Sequence, residues 1–339
     1  MANNTFDAVV VGGGPAGCAA ALHMAGCKLR VAILEDRSFP RDRPGETLPP
    51  AIEPVLQRLG IQLEGATRYR GHWVEQADQR FFLPHGQDAS GHWQGFHIWR
   101  ADFDEYLLRC ALREGVEVYQ PCRALRPLCS GGKVVGVVSS SGELRCQFLI
   151  DAAGGRHWLA QHLGLSITRN SPKLIAAYNY HVGSLTSFAP SFEMDATGWT
   201  WLTQLGPELF HWTRLNWSGA PPASDWAPQR MFGLEPRRKA LHADVTWRMV
   251  TPASGPGYYL VGDAAFVIDP AASHGVLKAV MTGMMAGFLV GHQCLNTLEE
   301  STAFHDYNGW IANWFSHDTL RLREHYASLA SPPDWSRGH

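Results

Sequence analysis

Seven cysteines stand at positions 18, 27, 110, 122, 129, 146 and 294, with no CxxC pair among them. An odd number without that spacing argues against a disulfide framework and against a zinc site, and predicts buried reduced thiols. Charge of one sign is also missing: Lys+Arg 29 against Asp+Glu 31 gives a net charge of -2, which offers no electrostatic partner to nucleic acid or an anionic membrane. No uninterrupted apolar run reaches 18 residues, so no membrane span is predicted. The N-terminus MANNTFDAVV lacks the basic-then-apolar pattern of a secretion signal, which predicts a cytoplasmic protein. Internal repeats and low-complexity tracts are absent. Histidine is plentiful at 16, with His85, His92 and His97 in one glycine-rich segment, but no metal-ligand spacing is present and no metal is predicted. What remains is 339 residues, 45% hydrophobic, enough for a large core and two intimately connected domains.

The segment Phe6 to Glu35, FDAVVVGGGPAGCAAALHMAGCKLRVAILE, reads as strand, glycine turn, helix and a second strand (Leu29 to Leu34) that stops on an acid. Gly12, Gly14 and Gly17 have GxGxxG spacing. In that pattern Gly12 permits the tight bend, Gly14 lets a pyrophosphate approach the backbone, and Gly17 lets helix and strand pack closely. The helix N-terminus supplies amide donors and partial positive charge. Glu35, 23 residues after Gly12, can accept both ribose hydroxyls and would repel a 2'-phosphate, so the predicted ligand is a dinucleotide lacking that phosphate.

Three later segments read as more of the same domain: a helix and strand over Trp99 to Val118, a hairpin ending in IDAAGGRH, and Gly257 to Val290, where a strand runs through a Gly-Asp turn into a long helix. Between them, residues 65–98 and 166–255 are rich in Trp, Tyr, Phe, Thr and His, with alternation such as Trp199, Trp201, Thr203 that suits antiparallel strands. The predicted fold is α/β: a Rossmann-like domain (1–64, 99–165 and 256–297) interleaved with an antiparallel-sheet substrate domain (65–98 and 166–255). A C-terminal helical segment (298–330) presents Phe304, Tyr307, Ile311, Trp314 and Phe315 on one face. The tail SPPDWSRGH is expected to fray.

The order GxGxxG, PGETLPP at Pro44 to Pro50, R-x-D-F-D-x-x-L at Arg100, D-A-x-G-x-R at Asp151 and G-D-A-A-x-x-x-D-P-x-x-S-x-G from Gly262 resembles the superfamily of FAD-dependent aromatic hydroxylases, flavin halogenases and geranylgeranyl reductases over nearly the whole chain. The resemblance implies FAD as cofactor, with Asp263 on its ribityl or pyrophosphate part. Arg100 and Gly154 would help to hold it. A turn from Asp269 through Pro270, Ser273, His274 and Gly275 would run beside the isoalloxazine. It also implies cofactor contacts at Pro15, Ala16, Asp36, Arg37, Arg43, Glu46, Thr47, Ala124, Ala153, Gly262 and Val276. The helix opened by Gly275 would point its amides at the flavin and stabilise the negative charge of its reduced form.

Within the superfamily, PGETLPP and GWTW (Gly198 to Trp201) are similar to halogenase signatures, yet two halogenase groups are missing. There is no lysine between Lys28 and Lys133 to steer hypohalous acid, and Ala272 stands where tryptophan halogenases carry a glutamate before the flavin-turn serine. The expectation is therefore a monooxygenase that hydroxylates an electron-rich aromatic ring, small or peptide-bound, through a flavin hydroperoxide. The chain also looks similar to the small flavoproteins that hydroxylate a tryptophan of a partner protein in tryptophylquinone formation, and its length predicts an open site. A reductase of the geranylgeranyl type is the alternative and a halogenase the next. The base is expected among His274, His97, His72 and His85, and Trp201 is expected at the flavin pocket. Electrons would come from a separate flavin reductase or from NAD(P)H, for whose phosphate Arg37, Arg41 and Arg43 are suited; no second GxGxxG is visible.

Overall fold

Val and Ile dominate the strands Thr5–Val11 and Val31–Leu34, and both are buried on two faces, the mark of a parallel sheet covered by helices. In the computed structural model, which describes residues 4–76, 79–186 and 188–336, they lie at the centre of an eight-stranded sheet. Its order is Glu117–Tyr119, Val31–Leu34, Thr5–Val11, Gly142–Asp151, Lys133–Ser139 and Ala124–Ser130. Tyr258–Leu260 also pairs parallel with Gly142–Asp151. The first four strands are parallel; the last two turn back as an antiparallel meander. A second eight-stranded, mostly antiparallel sheet carries Gly198–Gly206 between Leu209–Asn216 and Ser191–Asp195, and ends in the edge strand Gln79–Pro84.

The helix Pro15–Gly26 is almost wholly buried because Ala and Gly let it press against the helix Gly275–Cys294. Gly283, Gly287 and Gly291 form the meeting stripe, at i, i+4, i+8 spacing. A Cβ on Gly283 would lie 2.1 Å from the carbonyl oxygen of Ala16, and one on Gly287 would lie 2.9 Å from that of Ala20. By length and mean hydropathy (1.3) Gly275–Cys294 is apolar enough to cross a membrane; here it is a core helix, 56% of its most apolar stretch being buried inside the protein. The long helix Glu300–Ala327 turns Ala303, Tyr307, Ile311, Phe315, Leu322 and Tyr326 inward, and the Tyr307 hydroxyl donates to the carbonyl of Leu260 at 2.7 Å.

Two expectations need correction. The second strand begins at Val31, not Leu29, because Lys28 takes a left-handed backbone (φ 64) and Arg30 is held at the turn by Asp7 and Glu117. The tail, expected to fray, docks as far as it is described: Asp334–Ser336 forms a short helical turn, and Trp335 packs edge-on against Trp247 and Tyr326 while its Nε1–H donates to Trp217. An aromatic ring with a waiting aromatic pocket outweighs the disorder that Pro and Ser suggest. All seven cysteines are free, and no group of three His, Cys, Asp or Glu that could hold a metal occurs among the described residues.

Candidate active site

The strand Thr5–Val11 delivers Gly12 with φ +108, at the mouth of the helix Pro15–Gly26. A Cβ on Gly12 would lie 2.4 Å from the Ala152 carbonyl oxygen, and one on Gly17 would lie 1.9 Å from that of Gly12, so both glycines are required by contact. Gly14 caps the helix without a side chain in the way, and Pro15 begins it, as suits a first turn whose N–H groups must stay open for an anion. Glu35 closes the adjacent strand. It is 3% exposed and accepts the Gly13 N–H at 2.8 Å and the Arg37 N–H at 3.0 Å. Burial pushes its carboxyl above the ordinary range despite Arg41 and these bonds. Asp36, Arg37 and Arg43 are exposed around it, and Ala124 follows Cys122, whose N–H donates to the Glu35 carbonyl at 2.7 Å.

Arg41 has hydrogen-bonding capacity to spare for an anion at this turn. Its guanidinium hangs over Gly14, 3.5 Å from Glu35 and 3.8 Å from Asp104, and its Nε is buried without a partner. A dinucleotide pyrophosphate lying on the Gly12–Gly17 turn would supply that partner. On the other side Asp151, fully buried, accepts the N–H groups of Ala153 and Leu159 and so fixes the Ala153–Gly154 turn, where Gly154 has φ +82.

Arg100 and Glu46 were expected on the cofactor, but both side chains are committed to the protein. Arg100 makes two bonds to Asp104 (2.8 and 3.0 Å) and one to the Pro44 carbonyl (2.9 Å). Glu46, 1% exposed, accepts from the Tyr180 hydroxyl and from the Gly45 N–H, with His211 Nε2 3.5 Å away. Together they clamp the Pro44–Thr47 loop against Val276 at the head of the flavin-turn helix.

The Asp269–Gly275 segment forms a tight turn into the long helix. Pro270–Ala272 makes one helical turn capped by Asp269, Ser273 takes φ +59, and Gly275 starts the long helix. His274 Nε2–H donates to Asp318 at 2.7 Å, and its ring stacks on Trp314. Burial opposes charge on Asp318, but the bonds from His274 and His317 outweigh it and hold its carboxyl below the ordinary range. The ionised carboxylate thus orients the ring through its Nε2–H and leaves Nδ1 without a bond to the protein among the described residues. Here opens a cavity of about 400 Å³, lined by Tyr69, His72, His85, His274, Trp314 and Asp318, with Ala272 and Ser273 on its flavin-turn side. Neither lysine nor arginine lines it.

His97 and Trp201 stand one layer back. The His97 ring stacks on Tyr69 with centroids 4.0 Å apart, and its Nδ1 meets Thr203 at 3.0 Å. Burial, then the neighbouring His85 and His72, lower its pKa to about 3, too low for a useful base near neutrality. Trp201 donates to Thr47 Oγ1 at 3.1 Å and sits edge-on to His72. His72, facing the cavity, is lowered by burial and by His85 to about 4. Three residues that no motif marked stand at the site: Asp318 and Trp314 of the C-terminal helix line the cavity, and Lys278, 1% exposed, donates its Nζ–H to Asp263 at 2.7 Å.

A tryptophan halogenase family model matches residues 64–313, and an FAD-binding-domain model matches residues 7–40. Among curated relatives, the tryptophan 2-halogenase of Chondromyces crocatus is 28% identical over 90% of this chain and 66% of its own length, so the chain spans about two thirds of that protein. A pyrrole-2-carbonyl peptidyl-carrier-protein chlorinase of Pseudomonas fluorescens is 26% identical (95% and 85%), and a menaquinone reductase of Mycolicibacterium smegmatis is 27% identical (96% and 82%). Of solved structures, the myxobacterial chondrochloren halogenase superposes with a TM-score of 0.83 at 21% identity over 96% of this chain and 83% of its own. A geranylgeranyl bacteriochlorophyll reductase-like protein of Thermoplasma acidophilum gives 0.77 at 22% (94% and 85%). The chain belongs to the tryptophan halogenase family of FAD-dependent oxidoreductases.

Proposed function

We propose that this enzyme is a monooxygenase that hydroxylates an electron-rich aromatic ring, with a tryptophan side chain of a partner protein among the substrates that suit it. The observation that carries the reading is the composition of the cavity beside the flavin turn: histidines 72, 85 and 274, Tyr69 and Trp314, with no amine and with Ala272 in place of a carboxylate. FAD, when bound, supplies the reduction of dioxygen and an electrophilic oxygen. The protein's part is then positional. Tyr69 and Trp314 offer flat apolar faces to a ring, Leu277 and Pro49 help to exclude water, and His274, oriented by Asp318, takes up the proton that the ring or its substituent gives up. His72 stays neutral at pH 7 and serves as a hydrogen-bonding group without charge. Reducing equivalents come from a separate flavin reductase or from NAD(P)H, for whose phosphate the exposed Arg37 and Arg43 are suited.

Halogenation is the second reading, favoured by the family match and by the relatives' names. Its difficulty is the missing amine: Lys278 is buried under Asp263 and does not line the cavity. The deciding experiment supplies the purified protein with reduced FAD, labelled dioxygen and excess bromide, together with indoles, phenols and tryptophan peptides. The expected product gains one labelled oxygen atom, and bromide leaves its yield unchanged. A brominated product overturns the proposal in favour of halogenation, and turnover without dioxygen overturns it in favour of a reductase.

A further inference from the structure

Asp263 follows Gly262, which holds φ +59 and donates its N–H to Thr282 Oγ1 at 2.8 Å. The carboxylate is 55% exposed and turned to the open side, whereas its partner Lys278 is almost completely enclosed. Lys278 Nζ donates to Asp263 Oδ1 and to the Phe266 carbonyl, both at 2.7 Å, and lies 4.6 Å from the centre of the Phe266 ring. An enclosed ammonium is costly, and Asp263 is the one carboxylate paired with it among the described residues. The other charged and titratable groups facing Asp263 are Arg248 and His157. Arg248 donates to His157 Nε2 at 2.8 Å and to the Gly155 carbonyl at 2.8 Å, and His157 Nδ1 bonds the Ala264 carbonyl at 3.0 Å. The protein packed around its base strips some water from Asp263 and opposes its charge even though its outer edge is exposed, but Lys278, Arg248 and His157 outweigh this and keep the carboxyl below its ordinary range.

We infer that Lys278 is a positioning residue for the cofactor: without touching FAD, it holds the Asp263 carboxylate ionised and aimed into the cofactor groove. The inference rests on the placement of FAD against Asp263. It makes the ion pair a part of the binding site, distinct from any amine that would guide a halogenating oxidant. Together with Thr282, Lys278 ties the Gly262–Ala264 turn to the helix Gly275–Cys294.

FAD affinity of the full-chain apoprotein, read by flavin fluorescence from pH 5 to 8, tests it. Asp263→Asn should weaken binding about tenfold, the scale of one charge-assisted hydrogen bond. Lys278→Met should weaken it by a smaller factor at pH 7.5, rising toward that of Asp263→Asn at pH 5 as the carboxylate takes up a proton, whereas the wild type stays flat. Lys278→Arg should restore much of the flatness. The double variant should bind no worse than Asp263→Asn alone. Unchanged affinity in Asp263→Asn refutes the cofactor placement itself. Weakened binding in Asp263→Asn with a wild-type profile in Lys278→Met, or multiplicative effects in the double variant, leaves the placement standing and overturns the role of Lys278. Circular dichroism of each apoprotein separates loss of affinity from loss of fold.

Discussion

A methyl group on Gly283 would test the packing on which both halves of the cofactor site depend. Its Cβ would stand 2.1 Å from the Ala16 carbonyl oxygen, 3.0 Å from the Ala16 carbonyl carbon and 3.1 Å from the Ala20 nitrogen. All three are backbone atoms of a helix, so no side chain can rotate aside; the helices must separate by roughly 1 Å to restore ordinary contact. Overpacking of this kind costs about 1–3 kcal/mol, and the gain in helix propensity from Gly to Ala returns about 1 kcal/mol. Because the clash is with main chain, a net loss of about 2 kcal/mol is expected for Gly283→Ala. Gly309 provides the control: it lies in the middle of Glu300–Ala327 and a Cβ there meets nothing within 4 Å, so Gly309→Ala should gain about 0.5–1 kcal/mol. Denaturant midpoints of the apoproteins measure both. The displaced helices carry the pyrophosphate turn and the flavin turn, so Gly283→Ala should also weaken FAD binding and Gly309→Ala should not. A Gly283→Ala protein as stable as the wild type would refute the reasoning.

Asp318→Asn removes the anionic acceptor that orients His274, and should lower turnover about tenfold or more while leaving FAD affinity within a factor of about two; equal losses in both would mean that the residue is merely structural. Trp335→Ala should cost about 2 kcal/mol, less than a fully buried tryptophan because the ring is partly exposed, and a denaturant midpoint equal to wild type would show the tail to be dispensable. Asp269 is 1% exposed, with one oxygen accepting the Ala271 N–H and the other unpartnered, and burial raises its pKa to about 6. A raised carboxyl pKa means that the folded state holds the proton more tightly. Its contribution therefore favours folding at low pH and is lost as pH rises from about 4 to about 6. Asp269→Asn should flatten that part of the pH–stability curve, and an unchanged slope between pH 4 and 7 would disprove the assignment.

The glycine turn was legible because its requirements are local: Gly12 and Gly17 are dictated by atoms a few residues away or in the paired strand. The alternation Trp199, Trp201, Thr203 was legible for the same reason, since a strand puts all three on one face, and they meet Tyr326, Thr47 and His97 in turn. Which histidine is placed to act as a base was not legible. Four histidines were equivalent as letters, and what separates them is burial: His97 and His72 are stripped of basicity by the protein around them, while His274 is held by a carboxylate 44 residues further along the chain. Arg41 was read as a site for a nicotinamide phosphate, and the fold instead hangs it over Gly14 beside Glu35. Arg100 and Glu46 carry motif positions, yet a motif marks a place in a loop and does not say which way its side chain turns.

By itself the sequence determined the dinucleotide grip, the order in which the chain leaves and re-enters the parallel sheet, and the absence of a lysine from the loop where a halogenase would carry one. Each follows from spacing or from residue type alone. Only the tertiary structure decided which groups share the cavity, because the flavin turn, the Tyr69–His85 segment and the C-terminal helix come together there from three distant parts of the chain. The same is true of the buried ammonium under Asp263: its cost in isolation is set by desolvation, and only folding places the carboxylate that offsets it.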